Sequence, residues 1–270
     1  MNLVRSELLK IRTTSTWWWL AIGAFLSIAL AFAVNAWVAD ETLSGKGESL
    51  GVTGDMASAA AQAANLYTSG QYLGLMFVML IGILMVTNEF FHQTATTTFL
   101  STPRRTSVII SKLVAASLLG FGFWLVTTLI DLAAGAVFLS INDYGTMLDE
   151  WAVQRALLLN LLAYAIWTVL GVGIGTLITN QLGAVITAAV LYLVGTQVVG
   201  LLFMLLANAL DNMAVAKWQV IWPAVASTVM VSEGQTDFTP EWWVGALVLI
   251  GYAVVSGVVG IAITRRRDIS

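Results

Sequence analysis

Six apolar runs, each about 20 residues or longer, constrain this chain more than any other feature of its sequence. They lie at about 17–38, 67–87, 108–139, 153–178, 183–207 and 242–264. A helix needs about 20 apolar residues to cross the hydrocarbon core of a bilayer. Only 10% of the 270 residues are charged and 59% are hydrophobic, where a soluble domain carries roughly 25% charge. The expected fold is therefore an all-α integral membrane protein, one transmembrane domain over 1–270 with six transmembrane helices. The third run, about 32 residues, exceeds the bilayer core, so its helix is expected to tilt or project.

The polar stretches between the runs differ in kind. Residues 1–16 predict a short amphipathic helix. Val4, Glu7, Leu8 and Ile11 share a face with Met1 and Leu3, and Arg5, Lys10 and Arg12 flank it. Such a helix lies on the inner membrane surface with its basic side chains on lipid headgroups; the plainer reading is a basic flank that orients the first span. Trp17, Trp18 and Trp19 open that span as an interfacial anchor. Its apolar run is too long for a signal-peptide core. The segment 214–232 is too apolar for a free loop. It has a central Pro223 and is too short for a full span, which predicts an outer re-entrant or interfacial hairpin.

Lysine and arginine set the expected topology. With both termini and the 88–107 segment in the cytoplasm, Arg5, Lys10, Arg12, Arg104, Arg105, Lys112 and Arg265 to Arg267 lie inside. Lys46, Arg155 and Lys217 lie outside. A seventh span at 218–232 would put Arg265 to Arg267 outside, which favours six.

Chemistry is sparse. There is no cysteine and only one histidine, His92, so no metal centre is expected from these residues. The sequence has no phosphate-binding loop and no zinc-protease motif. Gly171 to Gly175, GVGIG, lies in an apolar run without a preceding strand, and reads as small residues for close helix packing. Asp131 is the one acid well inside a run. It is either a functional group or an interfacial residue near the outer surface. With so few ionisable groups in the spans, the energy source is expected in another chain, and this one is not expected to be an enzyme.

The stretch NEFFHQTATTTFLSTPRRTSVIISK, Asn88 to Lys112, holds the remaining information. Glu89-Phe90, His92, Thr94, Thr96, Leu100, Thr102-Pro103-Arg104-Arg105, Val108 and Lys112-Leu113 resemble the pattern of actinobacterial-type permease subunits of type-2 ABC exporters. Ser6 to Thr14, SELLKIRTT, before a Trp-rich first span, is similar to their amino terminus, and the six-span plan extends the likeness over the whole chain. Two positions depart: Gln93 stands where a glycine is common, and Phe91 where a basic residue is common.

The resemblance implies a plasma (inner) membrane half-transporter. Two permease chains, identical or different, pair with two copies of an ATP-binding subunit, which holds the ATP and Mg; no cofactor is implied in this chain and no nucleic acid partner. Such systems export amphiphilic drugs, peptides, lipids or glycans. Within the segment 88–107, the 89–101 helix is implied to couple to the ATPase. Glu89, Phe90, Phe91, His92, Thr94, Thr97 and Thr98 are its contact residues. Thr102-Pro103 ends that helix, and Arg104, Arg105 and Lys112 reach membrane lipid or serve topology alone. The alternatives are a stand-alone ion-coupled transporter and a membrane scaffold with no transport path.

Overall fold

The computed structural model describes residues 2–14, 16–94, 98, 105–232 and 239–266. Ten α-helices are described: α1 (Asn2–Thr13), α2 (Thr16–Glu41), α3 (Ala59–Tyr67), α4 (Gln71–Phe91), α5 (Arg105–Ile141), α6 (Trp151–Leu177), α7 (Gln181–Val190), α8 (Thr196–Ala209), α9 (Pro223–Val231) and α10 (Trp242–Arg266). There is no strand among the described residues. Six helical stretches are long and apolar enough to cross a membrane: Trp17–Leu50, Ala59–Phe91, Thr106–Ile141, Trp151–Leu177, Gln181–Ala209 and Trp242–Thr264. The six expected runs fall on them, as in a multi-pass membrane protein. α5, at 37 residues, is about 55 Å long at 1.5 Å per residue, so it projects well beyond a bilayer core.

The second stretch threads the centre of the bundle. In its most apolar window 72% of the residues are buried, against 11% in the first stretch and 6% in the fifth. Close approach to α6 makes this possible. A Cβ on Gly82 would lie 2.3 Å from the Thr168 carbonyl, and one on Gly171 would lie 2.1 Å from the Met79 carbonyl. Gly171, Gly173 and Gly175 all face a neighbouring helix at such distances, so the GVGIG run serves close packing. In lipid, where association draws little on the hydrophobic effect, that van der Waals fit holds helices together.

This stretch is not one helix. The expected span at 67–87 is a break between α3 and α4 followed by most of α4. The Thr68 hydroxyl donates to the Ala64 carbonyl at 2.8 Å and the Ser69 hydroxyl to Leu66 at 2.8 Å, so side chains take up carbonyls at the end of α3. Gly70 follows, where a Cβ would sit 2.6 Å from Ile28 on α2.

The 213–231 segment is sharply bent. A 3-10 helix, Met213–Ile221, meets α9 at 104°. Pro223 takes the first helical position of α9, where its missing N–H costs nothing. Ser227 is buried, accepting a hydrogen bond from Trp167 Nε1 at 2.6 Å.

A separate coupling helix over 89–101 does not begin where it was expected. α4 runs on through Glu89, Phe90 and Phe91 and ends at His92, because Glu89 is buried among lysines and Phe90 packs inward, which keeps this turn part of the bundle. Residues 95–97 and 99–104 lie outside the described residues, Thr97 and Arg104 among them, as do the side chains of Arg105 and of Arg265 to Arg267.

Candidate functional site

α1 carries the amphipathic pattern into a packed contact. Val4, Leu8 and Ile11 rest against a cluster of Met85, Val86, Ala115, Ala116 and Val172, joined by Phe90 and Leu113. The helix therefore docks on the ends of α4, α5 and α6. In the middle of that face stands Glu7, only 5% exposed. A carboxylate so placed needs charged partners, since burying an unpaired charge is very costly.

Its partners come from two directions. Lys112, on the first turns of α5, is 1% exposed. Its ammonium donates to Glu7 Oε2 at 2.6 Å, Glu89 Oε1 at 2.9 Å and the Met85 carbonyl at 3.0 Å, so all three N–H groups are used. Lys10, one turn beyond Glu7, donates to Glu7 Oε1 at 2.7 Å and Glu89 Oε1 at 2.6 Å. Two acids and two bases thus form a neutral quartet that ties α1, α4 and α5 together. Burial alone would lower the Lys10 ammonium, but hydrogen bonds and charge from Glu7 and Glu89 together outweigh it and hold it above its ordinary value.

Beside the quartet α4 ends in a tight corner. His92 N donates to Asn88 O, Gln93 N to Phe90 O at 3.2 Å and Thr94 N to Glu89 O at 2.8 Å. Gln93 has φ 56°. These are the bonds of a Schellman motif, with Gln93 at the left-handed position where glycine is favoured. The corner presents Phe91, 68% exposed, with its ring edge-to-face on His92 at 5.0 Å. Thr94 is exposed too, and Thr98 N donates to Thr94 O at 3.0 Å.

The expected site residues therefore divide. Phe91, His92 and Thr94 stand on the surface, with Phe90 packed inward against the α1 cluster. Glu89, expected as a partner contact, is buried and committed to two lysines. Lys112, expected at lipid, is buried for the complementary reason: Glu7 and Glu89 need its charge. Lys10 points to the same glutamates, while Arg5 and Arg12 are exposed. The Glu7–Lys112 pair escaped the sequence reading. Its signal was there, a lone acid on an apolar face and a lone base inside an apolar run.

Asp131 is enclosed by the protein. It is 3% exposed, and its Oδ2 accepts a long bond, 3.4 Å, from Gly70 N at the α3–α4 break. Among the described residues its Oδ1 has no hydrogen-bond partner, and neither have Thr128 Oγ1 and Asn160 Oδ1. Among the described residues no group of three or more His, Cys, Asp or Glu is placed to hold a metal. At the far end of the bundle the Arg155 guanidinium lies over the Trp242 ring at 5.2 Å.

An apolar cavity of about 330 Å³ opens between α4, α6, α7, α9 and α10, walled by Met79, Trp167, Ile174, Tyr192, Trp222 and Val255. Three of its aromatic polar atoms are turned to protein partners: Tyr192 OH to the Tyr72 carbonyl, Trp167 Nε1 to Ser227 and Trp222 Nε1 to Thr196.

No protein-family model matches this chain, and no curated protein is significantly similar to it.

Proposed function

We propose that this chain is the non-catalytic permease subunit of an ATP-driven exporter of the type-2 ABC kind, set in the plasma membrane with both termini cytoplasmic. The observation that carries the reading is the neutral quartet of Glu7, Lys10, Glu89 and Lys112, which binds α1 to α4 and α5 directly beside the exposed Phe91 corner. A force applied at that corner reaches the most buried stretch of the bundle without a flexible joint between them. Resemblance of the 88–112 segment to such permeases supports the same reading.

In this reading an ATP-binding subunit seats on the Phe91–Thr98 corner and α1 lies at the cytoplasmic interface. The 213–231 hairpin turns back into the outer leaflet. The sparsely covered faces of α2 and of the α7–α8 stretch, with Leu26, Leu30, Leu201 and Leu205 exposed, take lipid or a second permease chain. The test is purification from native membranes in mild detergent, with assay of the eluate for ATP hydrolysis. A stoichiometric ATPase supports the reading, and a catalytically silent single chain removes it.

One observation favours a second reading, a stand-alone ion-coupled transporter: a buried aspartate with an unpartnered oxygen beside a helix break. That reading requires uptake or efflux without ATP, abolished in Asp131→Asn.

A further inference from the structure

The apolar cavity of about 330 Å³ is a groove with an open side. Along α6 it runs from Trp167 to Leu177, and along α10 from Tyr252 to Val259. The α6 side is about 15 Å long at 1.5 Å per residue, half of the roughly 30 Å hydrocarbon core and so the depth of one leaflet. Leu177 is the last residue of α6, so the groove begins at the end of a candidate span and reaches its middle. Leu177, Leu191 and Val255 in its wall are 55%, 50% and 61% exposed. The stretches that carry Leu191 and Val255 are among the least buried of the bundle, 6% and 17% in their most apolar windows. The groove therefore opens sideways, where a bilayer would lie.

Its inner end is held rigid. Trp167 Nε1 donates to Ser227 Oγ at 2.6 Å, Trp222 Nε1 to Thr196 Oγ1 at 3.0 Å, and the Tyr192 hydroxyl to the Tyr72 carbonyl. The Trp167 and Tyr192 rings meet edge to face at 4.9 Å. The Trp222 ring seats on Gly195, where a Cβ would lie 2.8 Å from it. With these rings fixed, the groove does not close by a change of rotamer, and something must fill it. Water finds few partners in an apolar space. A void forfeits the dispersion contacts of the atoms that line it. Since a cavity of about 150 Å³ takes one benzene, this one takes roughly a dozen carbon atoms, which as an extended chain also span its length.

We propose that this groove holds one acyl chain of a bilayer lipid, from the leaflet at which α6 ends. The head group stays at the membrane surface beside Leu177. The tail enters between α7 and α10, and its far end lies against Trp167, Tyr192 and Trp222. The tail draws little on the hydrophobic effect, because it leaves a hydrocarbon medium. It gains the contacts of a preformed wall, and bilayer lipid is so concentrated that a small preference fills the site by mass action. The lipid is a resident of the fold rather than a cargo. The site reads the tail and is indifferent to the head group, and it stands with or without the exporter reading.

The experiment uses the full-length chain in palmitoyl-oleoyl phosphatidylcholine nanodiscs. Trace phosphatidylcholine carries a diazirine either near the carboxyl end of one acyl chain or at its terminus. Peptide mapping of the cross-links is expected to place the terminal diazirine on Trp167, Tyr192 and Trp222, and the other on Leu177 and Val259. Both should exceed severalfold the labelling of Leu26 and Leu30, exposed on α2, which report bulk lipid. The same two probes with a phosphatidylglycerol head group should give the same pattern. Val255→Trp fills the groove from an exposed position, so the chain should still elute as a single species while labelling of Tyr192 and Trp222 falls to the α2 level. The comparison of the two diazirine positions needs no variant. Groove labelling no greater than that of α2, one pattern for both positions, a pattern that changes with the head group, or indifference to Val255→Trp overturns the proposal. So does a disulfide between two copies of Leu191→Cys, which would put a second chain where the tail belongs.

Discussion

Lys112 Nζ lies 2.9 Å from Glu89 Oε1, with the lysine 1% exposed and the glutamate 6%. The contact joins the last turn of α4 to the first turns of α5 across the polar segment between them. The same ammonium reaches Glu7 on α1 at 2.6 Å, so three helices that are apart in sequence share one charge. Buried ion pairs rarely add stability over a well-packed apolar substitute, but removing one partner leaves an uncompensated charge behind. The quartet is thus better understood as fixing the position of α1 than as a source of stability.

That distinction is measurable. Lys112→Met leaves Glu7 and Glu89 to share Lys10 alone, with one buried negative charge uncompensated, and should destabilise the protein by about 3–5 kcal/mol. Neutralising all three residues at once, Glu7→Gln with Glu89→Gln and Lys112→Met, should recover most of that loss. Thermal melting of the purified variants by fluorescence-detected size exclusion makes the comparison.

Lys10 gives a pH test. Its folded value lies above the 10.5 of a free lysine, so its contribution is complete below pH 10.5 and is lost as pH rises through the folded value. Melting temperatures across the alkaline range should fall more steeply for the wild type than for Lys10→Met, and the two curves should converge at the highest pH.

Gln93 holds the left-handed position of the α4 corner at φ 56°. A non-glycine residue there is strained by roughly 1 kcal/mol. Gln93→Gly should therefore stabilise the protein by about that amount, and the branched Gln93→Val should destabilise it. The same melting assay reads both.

The sequence revealed the helices and concealed their joins. Apolar run length located all six long stretches, because the bilayer requirement is written locally. The α3–α4 break was hidden because Thr68, Ser69 and Gly70 fall at the edge of an apolar run, where short polar residues pass for the start of one helix; the approach of Ile28 explains Gly70. The amphipathic face of α1 was legible from its period, Glu7 included. Lys112 was misplaced because a basic residue at the end of a span usually serves topology, and its partner Glu7 lies 105 residues away. The departure at Gln93 was visible as an unexpected residue type, and the positive φ gives its physical meaning.

The chain contains no cysteine, so single cysteines report topology without background. Lys217→Cys and Arg12→Cys are both at exposed positions. With cytoplasmic termini, an impermeant maleimide should label Lys217→Cys in intact cells and Arg12→Cys only after permeabilisation. The reverse pattern would invert the proposed orientation.

In the proposed exporter an ATPase seats on the corner presented by Phe91 and His92. The ratio of ATPase to this chain recovered in a mild-detergent pull-down, wild type against Phe91→Asp, measures that docking. Phe91 is 68% exposed, so the substitution should leave insertion and melting temperature unchanged. One ATPase subunit per permease chain is expected for the wild type, and its loss in the variant. Recovery of the wild-type chain with no ATPase, or undiminished recovery with Phe91→Asp, would contradict it.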